Sequence, residues 1–187
     1  MDYYELTDDT KTLPNGTKVY RIRATLDFAD IKKGELGGWV EHKGNLLYPA
    51  WVSDEAKVFG RARVSGEARV SDEACVSGEA RVSDEACVFD KARVSDKARV
   101  SDKACVLGEA RVLGRARVFG RAIISGKARV SDKAWVSDKA CVFGEARVLG
   151  RARVSDEARV SGKARVSDEA CVFGRAIISG WMRITRR

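Results

Sequence analysis

The sequence predicts an all-β protein: a single-stranded, three-sided parallel β-helix of 18-residue coils behind a small N-terminal β cap. Three observations carry the prediction. From Val52 to Ile184 a Val or Ile returns every six residues, and the phase reaches back through Leu46 to Val40. Ala stands two residues before it at every step from Ala50 to Ala176, and Gly or Asp stands two residues after it from Asp54 to Gly180. The period is so strict that Val64–Cys75, VSGEARVSDEAC, recurs letter for letter as Val76–Cys87. Self-similarity of this kind marks an array in which each unit buries its apolar side only by stacking on its neighbours.

Taken in chain order, residues 1–38 are the expected cap. Lys18 to Phe28, KVYRIRATLDF, alternates like a half-buried strand after a Pro14-Asn15-Gly16 turn. Residues 39–187 are the expected repeat. Within each six, Ala-x-Val is a short strand with both small residues facing inward, because alternate side chains share a side. Gly or Asp then turns the corner with positive φ, which these residues tolerate best, and the charged residue after it points into water. An amphipathic helix is excluded, because a Gly or Asp every six residues has the wrong period for one. At the far end, GWMRITRR offers only Trp181 and Met182 as a lid, and an end so thinly capped is open to stacking on another copy.

The pattern Val-Ser-Gly-Glu-Ala-Arg, an aliphatic residue with a small one four positions later, resembles the hexapeptide-repeat family over about three quarters of the chain. The resemblance implies a left-handed parallel β-helix, pairing or trimerisation through β-helix sides, and acyltransferase activity in many members. The lead-in FADIKKGELGGWVEHKGNL (Phe28–Leu46) is similar to that of uncharacterised, acetyltransferase-like repeat proteins of bacteria and phages.

With 18 residues to a coil, residues 18 apart stack, and the outward residue before each aliphatic sorts into three columns. The first runs Arg93, Arg111, Arg129, Arg147, Arg165, Arg183. The second holds Arg63, Arg81, Arg99, Arg117, Trp135, Arg153, Cys171. The third holds Arg69, Cys87, Cys105, Ile123, Cys141, Arg159, Ile177. A period of 12 would scatter the apolar members of the third column among arginines. FGRAIISG at 119 and again at 173 is displaced by 54, a multiple of 18 that no period of 12 matches.

Two candidate surfaces follow. An apolar patch comprises Cys87, Phe89, Cys105, Leu107, Ile123, Cys141 and Phe143, and contiguous exposed apolar surface marks a contact, first of all with another copy as a dimer or trimer, or with a protein partner. A basic field surrounds Trp135: Lys97, Arg99, Lys103, Arg115, Arg117, Arg121, Lys133, Lys139, Arg151 and Arg153. Asp96, Asp102, Asp132 and Asp138 dilute it. Cations around an aromatic ring suit a phosphate backbone and a stacked base, so nucleic acid is the alternative partner.

Charge agrees with that division. Of 35 basic and 27 acidic residues, the first 51 positions carry seven and eight, net −1, and the rest carry 28 and 19, net +9. Five cysteines without CxxC spacing favour free thiols over a disulfide framework, and with no signal pattern or membrane-spanning apolar run the expectation is a cytoplasmic protein without a membrane.

Catalysis is not expected. The single histidine, His42, precedes the regular array, no insertion interrupts residues 52–184, and proton abstraction needs a positioned base. Carbonic anhydrases of this fold need three histidines, and no phosphate-binding or dinucleotide fingerprint occurs. No metal or cofactor is expected. A degenerate acyltransferase is the third alternative.

Overall fold

The protein is described here by a computed structural model covering residues 2–186; positions 1 and 187, the outer bounds expected for the cap and the repeat, lie outside the described residues. All but one of the Ala-x-Val or Ala-x-Ile units from Ala50 to Ile178 contribute a two-residue strand, the exception being the four-residue strand Arg165–Asp168, and successive strands pass in turn to three parallel sheets, so the chain winds as a solenoid of about eight 18-residue coils. Register is strict. On the first face Arg93 pairs with Arg111 and Arg111 with Arg129; on the second, Arg99 pairs with Arg117, Arg117 with Trp135 and Trp135 with Arg153. The third face is the sheet that begins at Trp51.

The core is a shaft of small residues. Every repeat Ala and aliphatic from Ala50 to Val166 is fully buried. The coils are joined by backbone hydrogen bonds at each step: Arg99 N–H donates to the Ala116 carbonyl at 2.9 Å, Ser101 N–H to Val118 at 3.0 Å and Lys103 N–H to Gly120 at 2.9 Å. This ladder satisfies the buried backbone that a stack of short strands would otherwise strand without partners.

Corners explain the Gly-or-Asp rule. Residue 96 is typical: Asp96 has φ +61°, and the turn closes when Ala98 N–H donates to the Ser95 carbonyl at 3.3 Å. The aspartates do more than tolerate that backbone. Asp96 Oδ2 accepts the N–H of Gly114, 18 residues on, at 3.0 Å; Asp102 accepts from Gly120 at 2.9 Å and Asp132 from Gly150 at 3.0 Å. These carboxylates, expected only to dilute the basic field, tie each corner to the next coil.

At the N-terminal end the alternating segment is a strand, β2 (Lys18–Ala24), paired antiparallel with β1 (Tyr4–Thr12) and with β3 (Leu36–Val40). β3 then pairs parallel with the coil strand at Lys57–Val58, so the hairpin extends the first face to eleven strands. β1 has no expectation behind it. Its sequence YELTDDTKT is polar and weakly patterned, and it is a strand because β2 offers it an edge. Glu55 accepts from Lys11 and from Arg21 (3.1 Å), and both cations stand over the ring of Trp39, at 4.2 and 5.2 Å.

The far end is under-capped, and the only lid its sequence offers does not close the shaft. Trp181 is 77% exposed and Met182 51%, while Ala176, Ile178 and Ile184 are only partly buried. Met182 stands where earlier coils place Ala, and Trp181 lies beneath Lys163 (4.5 Å) along the side of the coil.

Candidate binding surfaces

The third face brings the apolar patch together. Cys87 pairs with Cys105, Cys105 with Ile123 and Ile123 with Cys141, on four consecutive coils. Phe89, Leu107 and Phe143 stand two residues further along those strands, beside the same corner. Ile123 is 41% and Phe143 38% exposed, and the other five members are half-buried or at the edge of exposure. Flanking the stripe are Arg69 below and Arg159 above.

The cysteines act here as small apolar groups. Each thiol leans back onto a carbonyl two residues earlier: Cys87 onto Glu85 at 3.6 Å, Cys105 onto Lys103 at 3.8 Å, Cys141 onto Lys139 at 3.6 Å. All five cysteines are free. Burial pushes the Cys87 thiol above its ordinary pKa, and adjacent Cys105 adds to the shift; burial does the same at Cys75. Thiols held protonated are poor nucleophiles. Among the described residues no cluster of metal-ligating side chains occurs.

The second face and its two corners bring the basic field together, with cations that are partly spoken for. Lys97 pairs with Glu79 (3.6 Å), Lys103 with Glu85 (2.9 Å), Lys139 with Glu157 (3.4 Å) and Arg151 with Glu169 (3.1 Å), each partner 18 residues away. Trp135 is 36% exposed, but Arg117 and Arg153 from the coils on either side lie over its ring at 5.1 and 5.3 Å, and Phe119 meets its edge. A base stacking on Trp135 would have to displace a guanidinium.

His42 Nε2 lies 3.0 Å from the Gly60 carbonyl, beside Asn45, a fully buried residue. The Asn45 amide donates to Gly60 and Ala62 and accepts from the backbone N–H groups of Glu41 and His42. This knot fastens the lead-in to the first full coil.

A third surface has no precedent in the sequence pattern. The loop after β2, residues 27–35, folds over the first coils of the third face, and Asp30 holds Arg69 with two hydrogen bonds of 2.7 and 2.9 Å. Beneath it Phe28 packs edge-on against Trp51 (5.5 Å) and Tyr3 (5.1 Å), and Tyr3 donates its hydroxyl to the Ala50 carbonyl at 3.1 Å. A groove of about 740 Å³ remains between loop and coils, its walls including Phe28, Tyr48 and Trp51, and it opens onto Cys87 and Phe89. The lead-in thus covers the beginning of the third face and leaves the stripe from Cys105 onward open. The sequence signal was faint: Trp51 breaks the third column, and FADIKKGE interrupts the alternation.

The Arg69 guanidinium beside Asp30 holds that carboxyl below the usual aspartate range. A carboxylate with a depressed pKa stabilises above its unfolded value, about 3.9, and loses that contribution as pH falls through the folded value. The loop is therefore expected to be fastened at neutral pH and to loosen on acidification below about pH 4. Amide hydrogen exchange across residues 27–35 checks this, with Arg69→Ala loosening the loop at neutral pH and removing its response to acid.

A comparison with protein-family models finds no match, and a comparison with curated proteins finds none either. No helix among the described residues is long and apolar enough to cross a membrane.

Proposed function

We propose that this protein is a non-catalytic scaffold of the hexapeptide-repeat type, which binds protein surfaces through its apolar third face, beginning with a second copy of itself. The single observation that supports this best is the apolar row Cys87, Cys105, Ile123 and Cys141 stacked in register on four consecutive coils. The order of residues along the stripe suits a two-fold contact. Cys87, Cys105, Ile123 and Cys141 are mirrored by Phe89, Leu107, Ser125 and Phe143, so a second copy placed antiparallel sets each phenylalanine opposite the other. Isologous contacts of this form are the commonest in soluble oligomers. A rigid coil loses little ordering entropy on binding, which favours a surface that acts by display.

Phe89→Asp combined with Phe143→Asp is expected to turn an oligomer into a monomer in light scattering, because each change sets a charge in a desolvated contact. Raising salt should leave the wild-type assembly in place. A wild type that is monomeric at high concentration overturns the reading. The alternative, polyanion or nucleic-acid binding on the second face, calls for binding that weakens steeply with salt. It has in its favour Arg99, Arg115, Arg121 and Lys133, which form no ion pair among the described residues, and against it the guanidinium groups lying over the Trp135 ring. The acyltransferase alternative has less support, since the one histidine is engaged with a backbone carbonyl.

A further inference from the structure

We infer that Cys87 and Cys105 together form a binding site for a soft monovalent metal ion, copper(I), held in line between two thiolates. Register brings the pair together. The two residues are paired partners on neighbouring coils of the third face. Arg69 stands below Cys87 and Ile123 above Cys105, so Cys141 lies two coils from Cys105. Cys75 is on the first face, in register with Arg93, and Cys171 is on the second, in register with Arg153. Cys87 with Cys105 is therefore the one in-register pair of cysteines among the described residues.

Both side chains point the same way. The Cys87 thiol rests on the Glu85 carbonyl at 3.6 Å and the Cys105 thiol on the Lys103 carbonyl at 3.8 Å, and Glu85 and Lys103 are themselves one coil apart. The two sulfurs thus stand one coil apart as well, roughly 4.8 Å at the spacing of paired strands. Two metal–thiolate bonds of about 2.3 Å laid end to end span about 4.6 Å. The backbone fixes this separation, because Cys87 N–H donates to the Ala104 carbonyl at 3.0 Å and Phe89 N–H to that of Val106 at 2.9 Å.

Ligand number selects the ion. Structural zinc takes four protein ligands, and the described residues hold no group of three or more metal-ligating side chains. Copper(I) is a closed-shell ion that favours thiolate sulfur, and two ligands in a line satisfy it. Binding is an exchange without oxidation. Copper(I) and two thiols give one S–Cu–S bridge with a single negative charge, and two protons leave to solvent. Burial and the neighbouring thiol keep the proton on Cys87 in the free chain, so copper must displace it. Arg69, in register below Cys87, carries positive charge on the side where the bridge becomes negative.

The test is an oxygen-free titration of the reduced chain with copper(I) carried by bicinchoninate, whose colour reports the metal it gives up. The chain is expected to take up about one copper, and X-ray absorption of that copper to show two sulfur neighbours and no nitrogen. Cys87→Ser and Cys105→Ser should each abolish uptake, whereas Cys75→Ser and Cys141→Ser should leave it unchanged. Ile123→Cys fills the gap in the column and should raise uptake to about two, because the new thiol stands to Cys141 as Cys87 does to Cys105. Circular dichroism confirms that each variant is folded. No uptake by the wild type, equal loss in Cys141→Ser, or uptake unchanged by Ile123→Cys overturns the site. Copper uptake by a chain that stays monomeric removes the pairing of third faces and leaves this site standing, whereas a chain that pairs but takes no copper overturns the site alone.

Discussion

Removing residues 108–113 is expected to leave a folded solenoid that no longer associates, while removing 108–125 leaves one that still does. Both deletions join Leu107 to a corner glycine, Gly114 in the first and Gly126 in the second, and both keep every inward Val and Ala in phase. Their difference lies in the faces. Eighteen residues are one coil, so the longer deletion sets Cys141 directly on Cys105 and Phe143 beside Leu107, and the apolar stripe closes up. Six residues are one side of a coil. After the shorter deletion Ile123, Cys141 and Phe143 move to the second face, and Arg129 stacks on Cys105. Association should weaken by about tenfold to a hundredfold with the loss of Phe143 alone, a buried aromatic anchor being worth ~2 kcal/mol. Light scattering reads association and circular dichroism reads the fold. Equal association in the two deletions would mean that the third face is not the contact. The comparison separates function from stability, because the smaller change to the chain has the larger effect on the oligomer.

The second large effect concerns the corners. Gly120→Ala is expected to cost about 2–4 kcal/mol, and Gly174→Ala about 1–2 kcal/mol. Both glycines have positive φ, +70° and +66°, so both replacements bear the cost of a left-handed backbone. They differ in what the new methyl meets. At Gly120 it would stand 2.7 Å from Asp138 N and 2.9 Å from Asp138 Cα, which are main-chain atoms of the next coil; at Gly174 nothing lies within 4 Å. Gly120→Asp should be better tolerated than Gly120→Ala despite its size. Its carboxylate would accept the Asp138 N–H, as Asp102 accepts that of Gly120 one coil earlier. Urea denaturation midpoints order the variants wild type, Asp, Ala. An alanine variant as stable as the aspartate variant would show that the corner carboxylates contribute nothing across coils.

These expectations show where a repetitive sequence is legible. The strict period makes the neighbour of residue i the residue i+18, so Cys87 with Cys105 and Arg117 with Trp135 are contacts that spacing alone supplies. The Gly-or-Asp rule was legible as turn geometry. Its second half was not, because the Asp102 carboxylate reaching Gly120 depends on how far apart the coils settle. The ion pairs that draw Lys97, Lys103, Lys139 and Arg151 out of the basic field are likewise 18-residue neighbours, visible in principle once corner charges are sorted by column as the outward residues were.

By itself, then, the sequence determined the three-walled shaft, the membership of each column and the apolar stripe, because a periodic chain that must bury Val and Ala by stacking has one register in which every coil agrees. Only the tertiary structure decided what the non-periodic residues do. β1 becomes a strand through the edge that β2 offers it, and Trp181 fails as a lid because it lies along the coil under Lys163. The groove exists because Asp30 reaches Arg69 across 39 positions, and Phe28, Tyr48 and Trp51 gather under the loop it holds. Contacts of that kind repeat nowhere in the chain, so no spacing encodes them, and they form only where a folded surface is already present to receive them.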